Sequence, residues 1–268
     1  VQLGLTEALT RHLLTQYALL PDTLLVNLTG IFAATIGVVD YATLKTTFDG
    51  WFWANRVAAI VSKWKITLAD LEKITVLTTG AQLLDFGTLP LDSAGAIAAS
   101  SRFLRTNRLL RLRDSLPETE ITLLEVLEKL NQEHLSPGTY ANNVFADDVE
   151  LMNEAWLAAD VYTLTASLNL AYPADYLLAE NWERLRRVFY FIDKLNASAS
   201  TVGTFAAAAM DDTHAKALKE LLCSKFGIET WQTLSAEIQD VLRERKRDAL
   251  IAYLLTQPQP ADPPSGKW

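Results

Sequence analysis

The chain has 268 residues, half of them hydrophobic and 21% charged, which suits a globular protein with a sizeable core. Its formal net charge of -8 disfavours nonspecific binding to nucleic acid, which requires a positive surface. With one cysteine, Cys223, no disulfide can form within the chain, and we expect this thiol to be packed rather than reactive. No secretion signal is visible. Because the chain begins at Val1 rather than Met, we expect a fragment of a longer protein.

Helix signals dominate the chain from its first residues. Ala and Leu are abundant, β-branched runs are short, and apolar residues recur at steps of three and four. These features predict an all-α fold of about ten helices, packed as antiparallel hairpins in an elongated bundle. In chain order the predicted helices cover 6–20, 22–37, 41–64, a short segment that a capping box of Thr67 and Asp70 opens, 93–115, 120–135, 147–170, 174–196, 211–226 and 235–256.

Three interruptions predict how the chain is organised. Ser136-Pro137-Gly138 opens a loop that should end near Asp147, and this loop at 136–147 is a candidate boundary between two lobes of a helical module covering 1–256. The small and polar residues at 197–203 predict a bend. The tail at 257–268 contains four prolines and should be irregular.

The segment 24–39, LLVNLTGIFAATIGVV, is the nearest approach to a membrane span. It is shorter than the roughly 20 apolar residues that a bilayer requires, and Asn27, Thr29 and two glycines interrupt it. We therefore expect a helix buried in the protein core.

Two acidic clusters have the residue types of a divalent-metal site. Asp147, Asp148 and Glu150 form one, and Asp211 and Asp212 form the other. Carboxylates on helix faces hold Mg²⁺ in helical lyases that ionise prenyl diphosphates. However, each cluster lies where a helix should begin, and acidic residues there cap the free N–H groups. We favour capping, with Asp147 and Glu150 at the spacing of a capping box.

The histidines and one tryptophan are weaker candidates. His12, His134 and His214 have no second histidine or cysteine at ligand spacing, which disfavours zinc. His214, after two aspartates, could respond to pH near 6 to 7 but is more simply a surface histidine. Trp182 lies between polar neighbours and is a candidate for an exposed, sugar-stacking ring, whereas most of the other tryptophans should be core residues.

A stripe of arginines runs along the predicted helix at 93–115. Arg102, Arg105, Arg108 and Arg111 recur at every third residue, and Arg113 lies beyond them. Three interpretations remain open: a solvated face, ion pairing with acidic neighbours, or binding of an anionic ligand. The acidic balance of the chain favours ion pairing, whereas phosphate binding and nucleic-acid binding are disfavoured because aromatic interleaving and loop motifs are missing.

Six consecutive charged residues occupy 243–248, RERKRD, between two apolar helical segments. Since six residues encircle a helix, some of these charges must point toward whatever the helix packs on. Pairs three residues apart neutralise most of the run but do not explain why it encircles the helix. We therefore predict that Arg247 or Asp248 contacts another helix and is substantially buried.

Motifs for catalysis are missing from the sequence. It contains no phosphate loop, no GxSxG elbow, no HExxH motif and no Cys–His pairing. We therefore assign no catalytic residue, no cofactor site and no metal site, and we expect an interaction or structural module rather than an enzyme.

Two segments resemble the A component of Tc (toxin complex) insecticidal toxins. The more specific one comprises Trp231-Gln-Thr-Leu234, Asp240-Val-Leu-Arg243, Arg247-Asp248-Ala249-Leu250 and Tyr253-Leu254-Leu255. The other is 84–116, LDFGTLPLDSAGAIAASSRFLRTNRLLRLRDSL, whose Leu-rich and Arg-spaced helix is similar to the family's shell helices. Together they cover about a fifth of the chain, and the segments between them agree in helical character rather than in motif.

This resemblance implies a function for the fragment. The family's A component is a secreted homopentamer in which an α-helical shell encloses a translocation channel and opens at the host-cell membrane. The B and C components dock on it and supply the toxic enzyme. The resemblance implies that this chain is a noncatalytic shell segment, and that contacts with B, C and the membrane belong to other regions. A helical binding module for a host protein or glycan is the alternative, and a Mg²⁺-dependent lyase is a third hypothesis.

Overall fold

The computed structural model describes residues 3–20, 22–33, 41, 44–206 and 209–256. Within these ranges the protein is all-α, as predicted, with twelve α-helices rather than about ten. The helices are α1 (Glu7–Gln16), α2 (Leu24–Ala33), α3 (Lys45–Lys63), α4 (Leu68–Val76), α5 (Ser93–Arg113), α6 (Leu123–Leu135), α7 (Asn142–Met152), α8 (Ala158–Ser167), α9 (Ala179–Leu195), α10 (Ala199–Thr204), α11 (Asp212–Phe226) and α12 (Ile228–Thr256). A 3₁₀ helix covers Ala174–Leu177, and two short antiparallel strands, β1 (Ala18–Leu20) and β2 (Asp22–Thr23), join α1 to α2.

Local capping signals identified several helix ends correctly. The capping box of Thr67 and Asp70 opens α4, with both reciprocal hydrogen bonds present. α5 lies within two residues of its predicted bounds. Gly227 ends α11 with φ of +78°, a left-handed conformation that glycine adopts without the penalty a Cβ would bring.

Other predicted boundaries were wrong. The predicted helix at 147–170 is two helices, α7 and α8, because the chain turns at Asn153, whose side-chain oxygen accepts a hydrogen bond from the backbone N–H of Ala155. The predicted bend at 197–203 is the short helix α10, which Ser198 caps. The last helix begins at Ile228 rather than near 235. The first helix ends at Gln16 instead of continuing to 20, where the chain becomes extended.

The chain divides into two compact units, but not at the predicted loop. Unit 1 contains 1–192 and 198–206, and unit 2 contains 193–197 and 207–268. The candidate lobe boundary at 136–147 therefore lies inside unit 1, where the Glu133 carboxylate binds the loop that follows α6. The predicted irregular tail at 257–268 lies outside the described residues.

Unit 1 has a continuous apolar core with large aromatic residues. Trp53 is fully buried, and its indole N–H donates a 2.7 Å hydrogen bond to the backbone carbonyl of Phe86. Phe145 packs edge-on against Tyr176 and Trp182, with ring centroids 4.8 and 5.8 Å away. These aromatic contacts join α3 to the segment before α5, and α7 to α9.

The predicted core helix at 24–39 is only partly buried over the residues that the structure describes. Leu24 is fully buried, but the next two residues, Leu25 and Val26, are exposed. α2 therefore presents one side to the core of unit 1 and another to solvent. Residues 34–39 of this prediction lie outside the described part of the chain.

Unit 2 is a hairpin of α11 and α12 with almost no core of its own. No residue of α11 is buried, and Ser235 is the one buried residue of α12. At about 1.5 Å per residue, the 15 residues of α11 span about 22 Å and the 29 residues of α12 about 44 Å. The second half of α12 therefore extends past the helix that pairs with it.

Candidate functional sites

The first acidic cluster does not cap the helix in which it lies. Because α7 begins at Asn142, Asp147, Asp148 and Glu150 occupy its middle and its last turn, which corrects the predicted capping box. Glu150 instead accepts a 2.8 Å hydrogen bond from the backbone N–H of Ala158, the first residue of α8. It thus caps the following helix, a role that the linear spacing did not reveal.

Asp148 is a buried carboxylate with two partners. It is 7% exposed and accepts hydrogen bonds from the Lys129 ammonium at 2.8 Å and the Tyr140 hydroxyl at 2.6 Å. Burial, followed by the hydrogen bond to Asp148, raises the pKa of Tyr140, so the phenol remains a neutral donor. The three groups link α6, the loop after it and α7, and the satisfied carboxylate indicates a structural role.

Glu133 organises the loop after α6 in a way that sequence reasoning missed. Its carboxylate accepts hydrogen bonds from the backbone N–H groups of Gly138 (2.8 Å), Thr139 (2.7 Å) and Tyr140 (2.6 Å). The bond from Gly138, and then that from Tyr140, lowers the pKa of Glu133. The nearby Pro137-Gly138 turn signal predicted a loop but gave no indication of which side chain would bind it.

The second acidic cluster is a helix cap, as predicted. Asp211 precedes α11 and accepts hydrogen bonds from the backbone N–H groups of Thr213 and His214 at 2.9 and 3.1 Å. The Thr213 hydroxyl and then the two His214 contacts lower the pKa of Asp211. His214 Nδ1 lies 2.6 Å from the Asp211 carboxylate, so this histidine belongs to the cap. Asp212 is exposed.

The described residues contain no group of three or more His, Cys, Asp or Glu side chains that could hold a metal ion. His12 lies 3.8 Å from the Glu72 carboxylate and packs edge-on against Tyr17. His134 is exposed near the end of α6. Cys223 is half-buried on α11.

Trp182 is a core residue, which corrects the prediction of an exposed ring. It is 1% exposed, and its indole N–H donates a 2.7 Å hydrogen bond to the backbone carbonyl of Tyr176. Its polar sequence neighbours are on other faces of α9, so local polarity was a misleading signal for this position.

The arginine stripe of α5 is partly paired with acidic side chains. Arg105 and Arg108 lie 3.3 and 3.8 Å from the Glu180 carboxylate of α9. Arg113 pairs with Asp70 at 3.1 Å. Arg102 and Arg111 are exposed and have no ion-pair or hydrogen-bond partner for their side chains among the described residues.

The basic face of α5 continues onto α9. The two helices border a recess of about 180 Å³. Its lining residues are Arg108, Arg111, Leu112, Glu183, Arg186 and Arg187. The Arg186-Arg187 pair was visible in the sequence, but its position opposite the α5 stripe depends on helix packing.

The charge run at 243–248 is exposed in this chain, so the prediction that Arg247 or Asp248 is buried was wrong. Their side chains are 65% and 66% exposed, and they pair with each other at 3.1 Å. Arg243 pairs with Asp240 at 3.4 Å, three residues earlier on the same helix. The run is a solvated surface here because α12 extends past α11.

Large apolar side chains of α12 are exposed as well. They are Ile228, Leu234, Ile238, Val241, Leu242, Leu250, Ile251, Tyr253, Leu254 and Leu255. A second apolar surface is a groove of about 460 Å³ between α3 and α5 of unit 1, bordered by Ile60, Leu89 and Phe103. An apolar groove of this kind is a common form of interaction site in soluble proteins.

Comparison with known proteins does not identify a relative: no protein-family model, curated protein or solved structure matches this chain. Among the described residues, none of the helices combines the length and the apolar character required to span a bilayer.

Proposed function

We propose that this chain is a noncatalytic segment of the α-helical shell of a Tc toxin A component. In this role it encloses the translocation channel of a secreted, homopentameric, pore-forming toxin and contributes to toxin delivery at the host-cell membrane. The B and C components and the membrane contact other regions of the parent protein. The proposal combines the sequence resemblance in 84–116 and 231–255 with the all-α fold.

The number of exposed apolar residues on α12 is the observation that carries the proposal. A 29-residue helix with ten large exposed apolar residues needs a partner, because leaving such side chains in water forgoes roughly 1.5–3 kcal/mol for each one that could be fully buried. In a shell, neighbouring helices of the same assembly supply that cover.

Cysteine labelling tests this proposal in the full-length parent protein. Cys223 is first replaced by serine, and Leu250→Cys or Arg247→Cys then reports the accessibility of α12 to a maleimide. We expect rapid labelling in the isolated chain and at least tenfold slower labelling in the assembled toxin. Equal rates in both states, or a parent protein that forms no five-fold particle in electron micrographs, would contradict the shell assignment.

The groove between α3 and α5 favours a second candidate, a helical module that binds a host receptor. Its lining is almost entirely apolar, which suits an apolar protein segment better than a glycan. Arrays of host surface proteins and of glycans, probed with the labelled chain, distinguish the two ligand classes. Phe103→Asp should abolish binding if the groove is the receptor site. Ile97→Asp is the control, because Ile97 is exposed but lies outside the groove lining, and this variant should still bind.

A further inference from the structure

The recess between α5 and α9 concentrates positive charge in an acidic protein. Four guanidinium groups and one carboxylate line it, in a chain whose formal net charge is -8. The nearby Glu180 carboxylate is shared between Arg105 and Arg108, so it does not neutralise the other arginines. All four arginines of the recess are exposed at its rim.

Three of these four arginines have no anionic partner. Arg186 donates a 2.8 Å hydrogen bond to the neutral hydroxyl of Ser115. Arg111 and Arg187 have no side-chain partner among the described residues. Glu183 borders the same recess, but its carboxylate forms no ion pair with a described arginine. Arginines that converge without counter-charge repel one another, and a bound anion removes this repulsion.

The chemistry of the recess fits a tetrahedral oxyanion. Guanidinium groups present planar pairs of N–H donors that match two oxygens of a phosphate at once. The donors come from two helices, so one anion can accept hydrogen bonds from both sides. A recess of about 180 Å³ has room for a single phosphate group. A dianion balances the local charge better than a single carboxylate does.

We propose that this recess is a phosphate-binding site, with Arg111 and Arg187 as its principal ligands and Arg108 and Arg186 as flanking donors. The ligand is inorganic phosphate, a soluble phosphomonoester or the phosphate of a lipid headgroup, since all three present the same oxygens. Glu183, four residues before Arg187 on α9, competes with the anion for the same guanidinium groups. Bound phosphate then fastens α5 to α9.

Isothermal titration of the whole chain with inorganic phosphate, at constant ionic strength, tests the site. We expect the wild-type chain to bind phosphate saturably. Arg111→Gln and Arg187→Gln should each weaken the affinity about tenfold, because each variant loses one charge-assisted hydrogen bond to the anion. Arg102→Gln is the matched control, because Arg102 is also exposed and unpaired among the described residues of α5 but does not border the recess. Glu183→Gln should strengthen binding several-fold, an effect that damage to the fold would not produce.

Two further titrations identify the source of the phosphate. Glycerol 3-phosphate represents soluble esters, and vesicles of phosphatidylcholine with or without phosphatidic acid represent lipids. Stronger binding to phosphatidic acid vesicles than to glycerol 3-phosphate assigns the site to a headgroup, and the reverse assigns it to a soluble ester. The proposal is overturned if phosphate binds no better than chloride, or if Arg102→Gln weakens binding as much as Arg111→Gln does.

Discussion

Unit 1 and unit 2 are built from the same element, an amphipathic helix, but they bury it to very different degrees. In unit 1 the helices enclose a core in which Trp53, Phe145 and Trp182 are almost fully buried. In unit 2 the hairpin of α11 and α12 buries a single small residue of α12, Ser235. Two helices have too little surface to cover each other's apolar side chains, so unit 1 encloses a core of its own whereas unit 2 leaves the large apolar side chains of α12 exposed.

The largest contrast should come from truncating one tryptophan in each unit. Trp182→Ala removes a fully buried ring and leaves the Tyr176 carbonyl without its donor, so we expect a loss of about 3–5 kcal/mol in the free energy of unfolding of unit 1. Trp231 is half-buried on α12, so Trp231→Ala should lower the free energy of unfolding of unit 2 by about 1 kcal/mol or less. Urea titration, with hydrogen exchange monitored separately in each unit, measures both changes in the free energy of unfolding. If Trp182→Ala prevents folding, Trp182→Phe should still lose about 1 kcal/mol through the missing hydrogen bond.

Two glycine substitutions separate steric crowding from backbone strain. A Cβ on Gly80 would lie 2.1 Å from the Oδ1 atom of the buried Asn131, so Gly80→Ala should destabilise unit 1 by about 1–3 kcal/mol. A Cβ on Gly227 would meet no atom within 4 Å, but Gly227 has a positive φ that alanine adopts only with strain. Gly227→Ala should therefore lower the free energy of unfolding of unit 2 by about 1 kcal/mol. In the double variant with Asn131→Ala, the Gly80→Ala penalty should shrink. If Gly80→Ala destabilises unit 1 equally in the wild-type and Asn131→Ala backgrounds, the predicted clash with Asn131 is excluded.

The same chemical change at two aspartates tests what burial contributes. Asp148→Asn weakens a buried pair with Lys129, so we expect a loss of about 1–2 kcal/mol in thermal or urea unfolding. Asp248→Asn breaks an exposed pair with Arg247 and should change stability by less than about 0.5 kcal/mol. Equal, small effects at both positions would show that the Asp148 network does not stabilise unit 1.

The smallest expected effect is a change in the acid sensitivity of unit 1 when Glu133 is replaced. Its pKa is lowered in the folded state, so its contribution is complete above the unfolded-state pKa of about 4.3 and is lost as the pH falls through the folded-state value. Glu133→Gln should therefore be less stable than the wild type at pH 7, and its stability should depend less on pH below about 4.3. Glu118→Gln, in an exposed loop, is the control. Parallel pH profiles of wild type and Glu133→Gln would contradict this role.

Local chemistry explains which parts of the fold were predictable from the sequence. Thr67 and Asp70, and the stop at Gly227, define helix ends through atoms only a few residues away, and both were predicted correctly. Asn153, by contrast, sits inside a long amphipathic run, and periodicity alone does not show that the chain turns there. Trp182 and Asp148 were misjudged because their burial depends on neighbouring helices rather than on adjacent residues.

The sequence by itself determined the all-α class, most helix positions and the acidic balance of the chain, because these follow from periodicity, propensity and composition. Tertiary structure decided which charges are buried and which are left without partners. It buried Asp148 among its donors, brought Arg111 and Arg187 to one recess from distant parts of the chain, and left the charge run of α12 in solvent. The reason is physical: burial and charge pairing depend on how helices pack across long sequence separations, and a periodic pattern specifies a helix face but not its partner.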